Sequence, residues 1–255
     1  MKKATAWVAI PLAVVVAILA ALLLPRAFRT PLLDRLPPPP GRPATSRLTG
    51  MPDPQADPTG FAGALAARLN AFWGNEFPAI GRPYRAPTLD RFADATSLPC
   101  FPLMDFNDGP PYYCFLNDTV YVPQQYVSDL AGSPGVSGTV AVAYSLAHEF
   151  AHHVQHLSGL GATVEDSEAK PGAAARRALV SYELQADCLA GLFLRTVLAP
   201  GSVDQTALAA AQTAAIEIHG PEGGASLDTH GTLEQRHRAL WAGFQTGRGV
   251  TCQAL

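Results

Sequence analysis

The chain has 255 residues, and its content of 48% hydrophobic and 15% charged residues is that of a folded protein, so neither a repeat protein nor a wholly disordered one is indicated. Charge is unevenly distributed, since residues 58–255 contain 11 Lys or Arg and 18 Asp or Glu, for a net charge near −7. An acidic domain without a basic stripe is a poor candidate for binding nucleic acid, so we expect no nucleic-acid partner.

An uncharged segment from Ala4 to Leu24 follows Lys2 and Lys3. As a helix rising about 1.5 Å per residue, these 21 residues would extend roughly 31 Å, enough to cross the hydrocarbon core of a bilayer. The alternative is a cleavable signal peptide, but its apolar core is usually about 7–15 residues long and ends in an A-x-A-like site. We therefore predict a single membrane-spanning helix over residues 1–24, with the rest of the chain on the extracytoplasmic side.

Residues 25–58 contain ten prolines and few large apolar side chains. Such a segment buries too little surface to offset the conformational entropy that it would lose on folding. Proline also favours the extended polyproline II conformation. We therefore predict a semi-rigid linker over residues 25–58, which joins the membrane anchor to a single domain at residues 59–255.

The predicted domain contains five segments with apolar residues at helical spacing: 59–75, 137–159, 176–198, 203–218 and 233–246. Two earlier segments, 83–92 and 111–123, are short β-type runs bounded by Pro, Asn and Asp. Gly159 is expected to end the second helix, and Thr232 with Gln235 has capping-box spacing before the last helix. This order predicts an α+β domain that is mostly helical with a small antiparallel sheet.

The sequence HEFAH at residues 148–152 matches the H-E-x-x-H pattern within the second predicted helix. Residues four apart in a helix point to the same side, so the imidazoles of His148 and His152 can share one metal ion. Glu149 lies about 80° around the helix from the midpoint of that pair. This is the position of a general base beside a metal-activated water, not that of a ligand.

A catalytic zinc site also needs a third protein ligand and an open coordination position. The metzincin extension would need Gly and His at positions 155 and 158, where the chain has Gln155 and Ser158, so this option is excluded. In the third predicted helix, Glu183 and Asp187 are four residues apart and share one face. One carboxylate can ligate the ion while the other accepts the free N–H of a ligand histidine. A solvated helix face remains the alternative for Glu183.

The four cysteines form no C-x-x-C pair, so neither a zinc ribbon nor a thioredoxin-like redox motif is indicated. An even number of cysteines behind an export-type N-terminus favours disulfide bonds. A bond between Cys100 and Cys114 would close a short loop rich in Pro and Gly. A bond between Cys188 and Cys252 would attach the C-terminal tail to a helix. Four free thiols of a cytosolic domain are the alternative, and the connectivity stays open.

Three segments, taken together and in this order, resemble the bacterial "putative neutral zinc metallopeptidase" family: AHEFAHHVQHLSG, then YELQADCLAG about 30 residues further on, and DTHGTLEQRHRALWAGF. The resemblance extends from about residue 61 to residue 252 and includes PYYCFLNDTVYV. One departure is Phe150-Ala151, where relatives more often have a small or β-branched residue followed by Gly. Neither position faces the metal in a helix, so the departure hardly affects the expected ligands.

The resemblance implies a zincin-like fold of the gluzincin kind and a membrane-anchored or exported peptidase with one Zn²⁺ ion. Carried over by position, His148 and His152 match the family's metal ligands, and Glu149 matches its catalytic glutamate. Glu183 matches the expected third ligand, and Asp187 matches its acidic companion. The four cysteines fall where such relatives usually carry cysteines.

Among the other histidines, His230 is the candidate for a role in catalysis, because it lies in DTHG, directly before the last predicted helix and within the resemblance. A loop imidazole there can donate to the oxyanion of a tetrahedral intermediate. The alternative is a histidine that merely fastens the loop. By helical angle, His153 is expected to pack or face solvent, and His156 to lie at the rim of the site. His219 and His237 are not part of any recognisable pattern of metal-binding or catalytic residues.

The sequence therefore predicts a zinc-dependent peptidase in which the ion lowers the pKa of its bound water and polarises the scissile carbonyl. Glu149 takes the proton of that water and delivers it to the leaving amine. Two alternatives stay open: a hydrolase of non-peptide amides or esters, and a membrane-anchored zinc-binding or scaffold protein without catalysis. The expected partners are a peptide or protein substrate and, through the N-terminal helix, a membrane.

Overall fold

The computed structural model describes residues 35–36, 45–93, 100, 109–160, 172–218 and 227–253. The predicted membrane helix, most of the predicted linker and His219 lie outside these residues. Across the described ranges, no helix is long and apolar enough to cross a membrane.

Seven α-helices lie in the described part of the chain: α1 (Pro58–Glu76), α2 (Gln124–Ala131), α3 (Gly138–Ser158), α4 (Ala173–Val197), α5 (Gln205–Glu217), α6 (Leu227–His230) and α7 (Leu233–Thr246). Five of them are the predicted helices, and the short α2 and α6 were not predicted. Gly159 ends α3 in the left-handed conformation with φ 75°, and the Thr232–Gln235 capping box is present at the start of α7. These helix ends confirm the predictions made from local sequence.

The sheet has three strands, β1 (Thr88–Phe92), β2 (Tyr112–Cys114) and β3 (Thr119–Pro123), with β3 in the centre. β3 pairs antiparallel with β2 but parallel with β1, so the prediction of an antiparallel sheet was wrong for β1. Side-chain alternation determines which face of a strand is buried but carries no information about strand direction. The chain between β1 and β3 is longer than the dozen or so residues that a parallel connection needs.

The central element of the domain is α3, which is buried over nearly its whole length. It packs against α1, α2, α4 and α5, and β2 lies beside it. The helix α4 also packs against α7. The core between these helices includes Leu146, Phe150, Phe193 and Leu240, all fully or almost fully buried. The H-E-x-x-H segment therefore lies inside the domain, between α4 and the edge of the sheet.

The last part of the predicted linker contacts the domain. The backbone N–H of Arg47 and the hydroxyl of Ser46 donate to the carbonyl oxygen of Val197 at 2.7 and 3.2 Å, respectively. Leu48 is buried in the main core. This part of the segment is therefore packed against the end of α4.

The structure contains both of the disulfide bonds that the sequence suggested as pairings. Cys100–Cys114 fastens β2, and its Cα atoms are 5.9 Å apart. Cys188–Cys252 joins α4 to the 3₁₀ helix Gly249–Gln253, with Cα atoms 5.4 Å apart. None of the four cysteines is free, so the alternative of four thiols is excluded.

Two glycines allow α4 and α7 to approach closely. A Cβ atom added at Gly191 would overlap the carbonyl oxygen of Leu240, and one added at Gly243 would overlap that of Cys188. We expect Gly191→Ala to lower the free energy of unfolding by about 1–3 kcal/mol, because the two helix backbones would have to move apart. Urea unfolding of the disulfide-intact protein measures this loss.

Gly74, in α1, is the matched control. A Cβ atom there would meet only a ring carbon of Tyr84, at 3.8 Å, which is an ordinary van der Waals contact. Gly74→Ala is therefore expected to raise the stability, by up to about 1 kcal/mol, because alanine is the better helix former. A Gly191→Ala protein as stable as the parent would contradict the close packing of α4 on α7.

Candidate metal centre

The helices α3 and α4 bring the three predicted metal ligands together. The Nε2 atoms of His148 and His152 are 3.1 Å apart, and Glu183 Oε2 lies 3.1 Å from the first and 3.5 Å from the second. Within the described ranges, this is the one group of three or more His, Cys, Asp or Glu whose ligand atoms all lie within 4.8 Å of one another. Two imidazoles and a carboxylate form a ligand set of catalytic zinc sites. The residues present therefore fit a zinc ion.

Asp187 holds the far side of the His148 ring. His148 Nδ1 lies 3.0 Å from Asp187 Oδ1, and the carboxylate is completely buried. Because an ionised carboxylate only accepts hydrogen bonds, Nδ1 carries a proton and Nε2 faces the other ligands. Glu183 thus lies beside Nε2, on the side of the ring that faces the other predicted ligands, and Asp187 lies behind the ring.

The charges around His148 favour a cation. Burial by itself lowers the pKa of His148, but the carboxylates of Asp187 and Glu183 outweigh burial and raise this pKa to about 10. Burial likewise raises the pKa of Glu183, but His152 and His148 outweigh it and hold the pKa well below its ordinary value. The site therefore attracts a positive charge, either as a proton on Nε2 or as a metal ion in its place.

Arg236 is buried behind Asp187. Its Nε donates to Asp187 Oδ2 at 2.8 Å, and its Nη2 donates to Oδ1 at 3.1 Å and to Tyr144 Oη at 3.0 Å. The Tyr144 hydroxyl donates to the same carboxylate at 2.6 Å. Burial raises the pKa of Asp187, but Arg236 and His148 outweigh it and hold the pKa below its ordinary value. Asp187 is therefore a fixed anion behind His148.

Neither Arg236 nor Tyr144 was among the predicted site residues, although the sequence contains a signal for each. Arg236 lies on the apolar face of α7, since Leu240 and Gly243 follow it at four and seven residues. A charge on an apolar face needs a buried partner. Tyr144 precedes His148 by four residues, so both side chains point to the same side of α3.

Different contacts hold His152. Its Nδ1 atom lies 3.0 Å from Oε1 of Gln155, which is completely buried. The ring of Tyr182 stacks on the imidazole, with centroids 4.9 Å apart and planes 17° apart. Tyr182 is half-buried and covers one face of this predicted ligand.

Glu149 points from α3 toward the edge of the sheet. Its Oε2 atom accepts the backbone N–H of Tyr113, in β2, at 2.8 Å. Burial raises the pKa of Glu149 above its ordinary value, and the neighbouring His152 and His148 partly oppose this rise. A carboxylate with a raised pKa, next to the three ligands but outside their group, is arranged as a proton acceptor.

His230 reaches the site from the end of α6, a short helix where the sequence predicted a loop. Its Nε2 atom lies 3.6 Å from Glu183 Oε2, and its Nδ1 lies 2.8 Å from the hydroxyl of Thr229. Burial lowers the pKa of His230, which favours the neutral imidazole, although nearby Glu183 opposes this. The side chain is 28% exposed, so a ligand in the site can reach it.

The two remaining histidines of the segment AHEFAHHVQHLSG, His153 and His156, lie outside the group of predicted ligands. His153 is completely buried, with its Nε2 atom 2.7 Å from the carbonyl oxygen of Arg85 and its Nδ1 3.1 Å from Tyr113 Oη. His156 Nε2 lies 3.8 Å from a carboxylate oxygen of Asp118. His153 thus packs in the interior, which is one of the two positions predicted for it.

The chain is similar in sequence to several known proteins. The chain is similar to "Uncharacterized protein YpfJ" of Escherichia coli K12, with 30% identity over 204 residues, which are 76% of this chain and 70% of the relative. It is also similar to "Uncharacterized protein Rv2575" of Mycobacterium tuberculosis H37Rv, with 29% identity over 206 residues, or 71% and 68% of the two chains. No solved structure matches the chain.

A family model covers the domain together with the candidate metal centre. Residues 37–255 match the model described as "Putative neutral zinc metallopeptidase". This range includes the three predicted ligands, both disulfide bonds and the helices that carry them. The chain therefore belongs to the putative neutral zinc metallopeptidase family.

Proposed function

We propose that the protein is a zinc-dependent peptidase. The observation that carries this proposal is the convergence of His148, His152 and Glu183, with Glu149 beside the group but outside it. A structural zinc site tends to be closed by four protein ligands, whereas a catalytic site leaves a position open for water or substrate. Three ligands with an adjacent carboxylate that is ready to accept a proton favour catalysis.

In the proposed mechanism, Glu149 moves the proton and the backbone of Tyr113 holds Glu149 in place. When bound, zinc supplies a Lewis acid that polarises the scissile carbonyl and lowers the pKa of water at the site. Glu149 takes a proton from the attacking water and delivers it to the leaving amine. The backbone N–H of Tyr113 holds the carboxylate of Glu149 at the sheet edge. The proton acceptor is therefore in position before the substrate arrives.

His230 is proposed to donate a hydrogen bond to the oxyanion that develops on the scissile carbonyl. We expect His230→Ala to lower kcat by about 10²–10³-fold with little change in KM, because the oxyanion forms only in the transition state. Steady-state hydrolysis of a cleaved peptide measures both constants. His237→Ala, in α7, is the matched control and is expected to keep parental kinetics. If His230→Ala keeps the parental kcat, His230 only fastens its segment.

The proposed activity is tested by incubating the full chain with a diverse peptide mixture and identifying the products by mass spectrometry. We expect cleavage by the zinc-loaded protein, loss of cleavage after chelation, and its return with one equivalent of zinc. No cleavage of any peptide with one zinc bound would overturn the peptidase proposal. A panel of esters and non-peptide amides would then separate the alternative hydrolase from a zinc-binding scaffold.

We also propose that residues 1–24 anchor the protein in a membrane, with the domain on the extracytoplasmic side. The uncharged segment Ala4–Leu24 supports the anchor, and the two disulfide bonds support an oxidising compartment. Mass spectrometry of the mature N-terminus tests the anchor. A mature chain that begins after Leu24 would show that the segment is a signal peptide.

A further inference from the structure

A chain of hydrogen bonds connects a metal ligand to the C-terminal tail. Gln155 lies three residues after His152 on α3, and its Oε1 is 3.0 Å from His152 Nδ1. The amide nitrogen of Gln155 donates to the carbonyl oxygen of Tyr182 at 2.8 Å and to Gln185 Oε1 at 2.9 Å. The amide nitrogen of Gln185 donates to the carbonyl oxygen of Cys252 at 3.1 Å. The polar atoms of Gln155 are therefore all engaged, although its side chain is completely buried.

The backbone carbonyls of Tyr182 and Cys252 determine the direction of every hydrogen bond in this series. A carbonyl oxygen only accepts, so the nitrogen of Gln155 must face Tyr182, and the nitrogen of Gln185 must face Cys252. Gln155 Oε1 is then the atom that faces His152, and His152 Nδ1 must carry a proton. The Nε2 atom of His152 is left for the metal, as ligation at this position requires.

The tail that accepts the last hydrogen bond is itself held in place. Cys252 is bonded to Cys188, which lies three residues after Gln185 on α4. Both cysteines are completely buried, so the bridge is shielded from solvent. The disulfide and the hydrogen bond from Gln185 thus attach the same short tail to the same turn of α4.

We propose that Gln155 and Gln185 are positioning residues for His152. We call the series of hydrogen bonds from His152 through these two side chains to Cys252 the relay, and the disulfide-anchored tail is its fixed end. The relay holds the tautomer and the ring orientation of His152, as Asp187 does for His148. It does so with neutral amides, so it adds no further negative charge to the site. The proposal rests on the zinc site of the proposed function but not on its peptidase chemistry.

The zinc Kd of the full chain, measured by competition with a chromogenic chelator, tests the relay. Gln155→Met removes the hydrogen bonds but keeps a buried side chain of similar length, and we expect it to raise the zinc Kd by about 10- to 100-fold. A parental Kd for Gln155→Met would overturn the positioning role.

Gln185→Met tests the relay one step further from the metal and covers the case in which Gln155→Met does not fold. This variant leaves both side-chain atoms of Gln155 that contact His152 and Tyr182 in place. We expect it to raise the zinc Kd measurably, by at most about 10-fold, because His152 is held less firmly when Gln155 loses one partner. An unchanged Kd would overturn the part of Gln185 in the relay.

The two disulfide bonds offer a matched pair of variants for the tail. Replacing Cys188 and Cys252 together by Ala frees the tail and is expected to raise the zinc Kd about 10-fold. Replacing Cys100 and Cys114 together by Ala leaves the relay intact and is expected to keep the parental zinc Kd. Parental binding by both double variants would overturn the tail as the fixed end. A parent chain that binds no zinc would overturn the zinc site itself, and the relay with it.

Discussion

Replacement of Glu149 by glutamine is expected to lower kcat/KM for peptide cleavage by about 10²–10⁴-fold while the protein keeps its zinc. The amide oxygen of glutamine can still accept the backbone N–H of Tyr113, which Glu149 Oε2 accepts at 2.8 Å. The amide cannot take a proton from water, so the substitution removes the base and changes the shape of the site little. Steady-state kinetics and the zinc content of the same sample measure the two effects separately.

Glu234→Gln is the matched control for this change. The side chain of Glu234 lies on α7, is 78% exposed and takes no part in the metal centre. The same Glu-to-Gln substitution there is expected to leave kcat/KM and zinc content unchanged. A Glu149→Gln protein with one zinc and undiminished kcat/KM would contradict the assignment of Glu149 as the general base.

Replacement of Arg236 by methionine is expected to lower the free energy of unfolding by about 3–5 kcal/mol. Methionine fills much of the same volume but removes the arginine partner of the completely buried Asp187 carboxylate. Such a carboxylate must either stay charged in the interior or take up a proton, and both are costly. Urea unfolding of the full chain, with both disulfide bonds intact, measures the loss.

The matched control is Arg238→Met, two residues further along α7. Arg238 pairs with Glu234 at 2.8 Å, but the two side chains are 64% and 78% exposed. An ion pair in solvent contributes only about 0.2–1 kcal/mol, because water already stabilises both charges. If Arg236→Met costs no more than Arg238→Met, the buried pair with Asp187 does not stabilise the domain.

Features that depend on neighbours within one or two turns of the chain could be predicted from the sequence. The end of α3 at Gly159 and the capping box of Thr232 with Gln235 both involve residues a few positions apart. The shared direction of His148 and His152 has the same origin, since a spacing of four residues places two side chains on one side of a helix. No knowledge of the rest of the fold is needed for any of these.

The choice between Glu183 and Asp187 could not be made from helical geometry, because both carboxylates lie on the same face of α4. The family resemblance favoured Glu183 as the ligand. The distances show the arrangement directly, with Glu183 3.1 Å from Nε2 of His148 and Asp187 3.0 Å from Nδ1 of the same ring. Which carboxylate meets which nitrogen depends on how α4 is rotated against α3, and that rotation is set by core packing.

The helices of the domain, the histidine pair and the candidate third ligands could be predicted from the amino-acid sequence, because each depends on contacts within one helix. The parallel pairing of β1, the contact of Tyr113 with Glu149, and the hydrogen bonds of Arg236 and Gln185 depend instead on how separate elements pack together. Arg236 and Tyr144 are 92 positions apart, and Gln185 and Cys252 are 67 apart. Such contacts arise when separate elements pack around one core, and no local pattern encodes where those elements will meet.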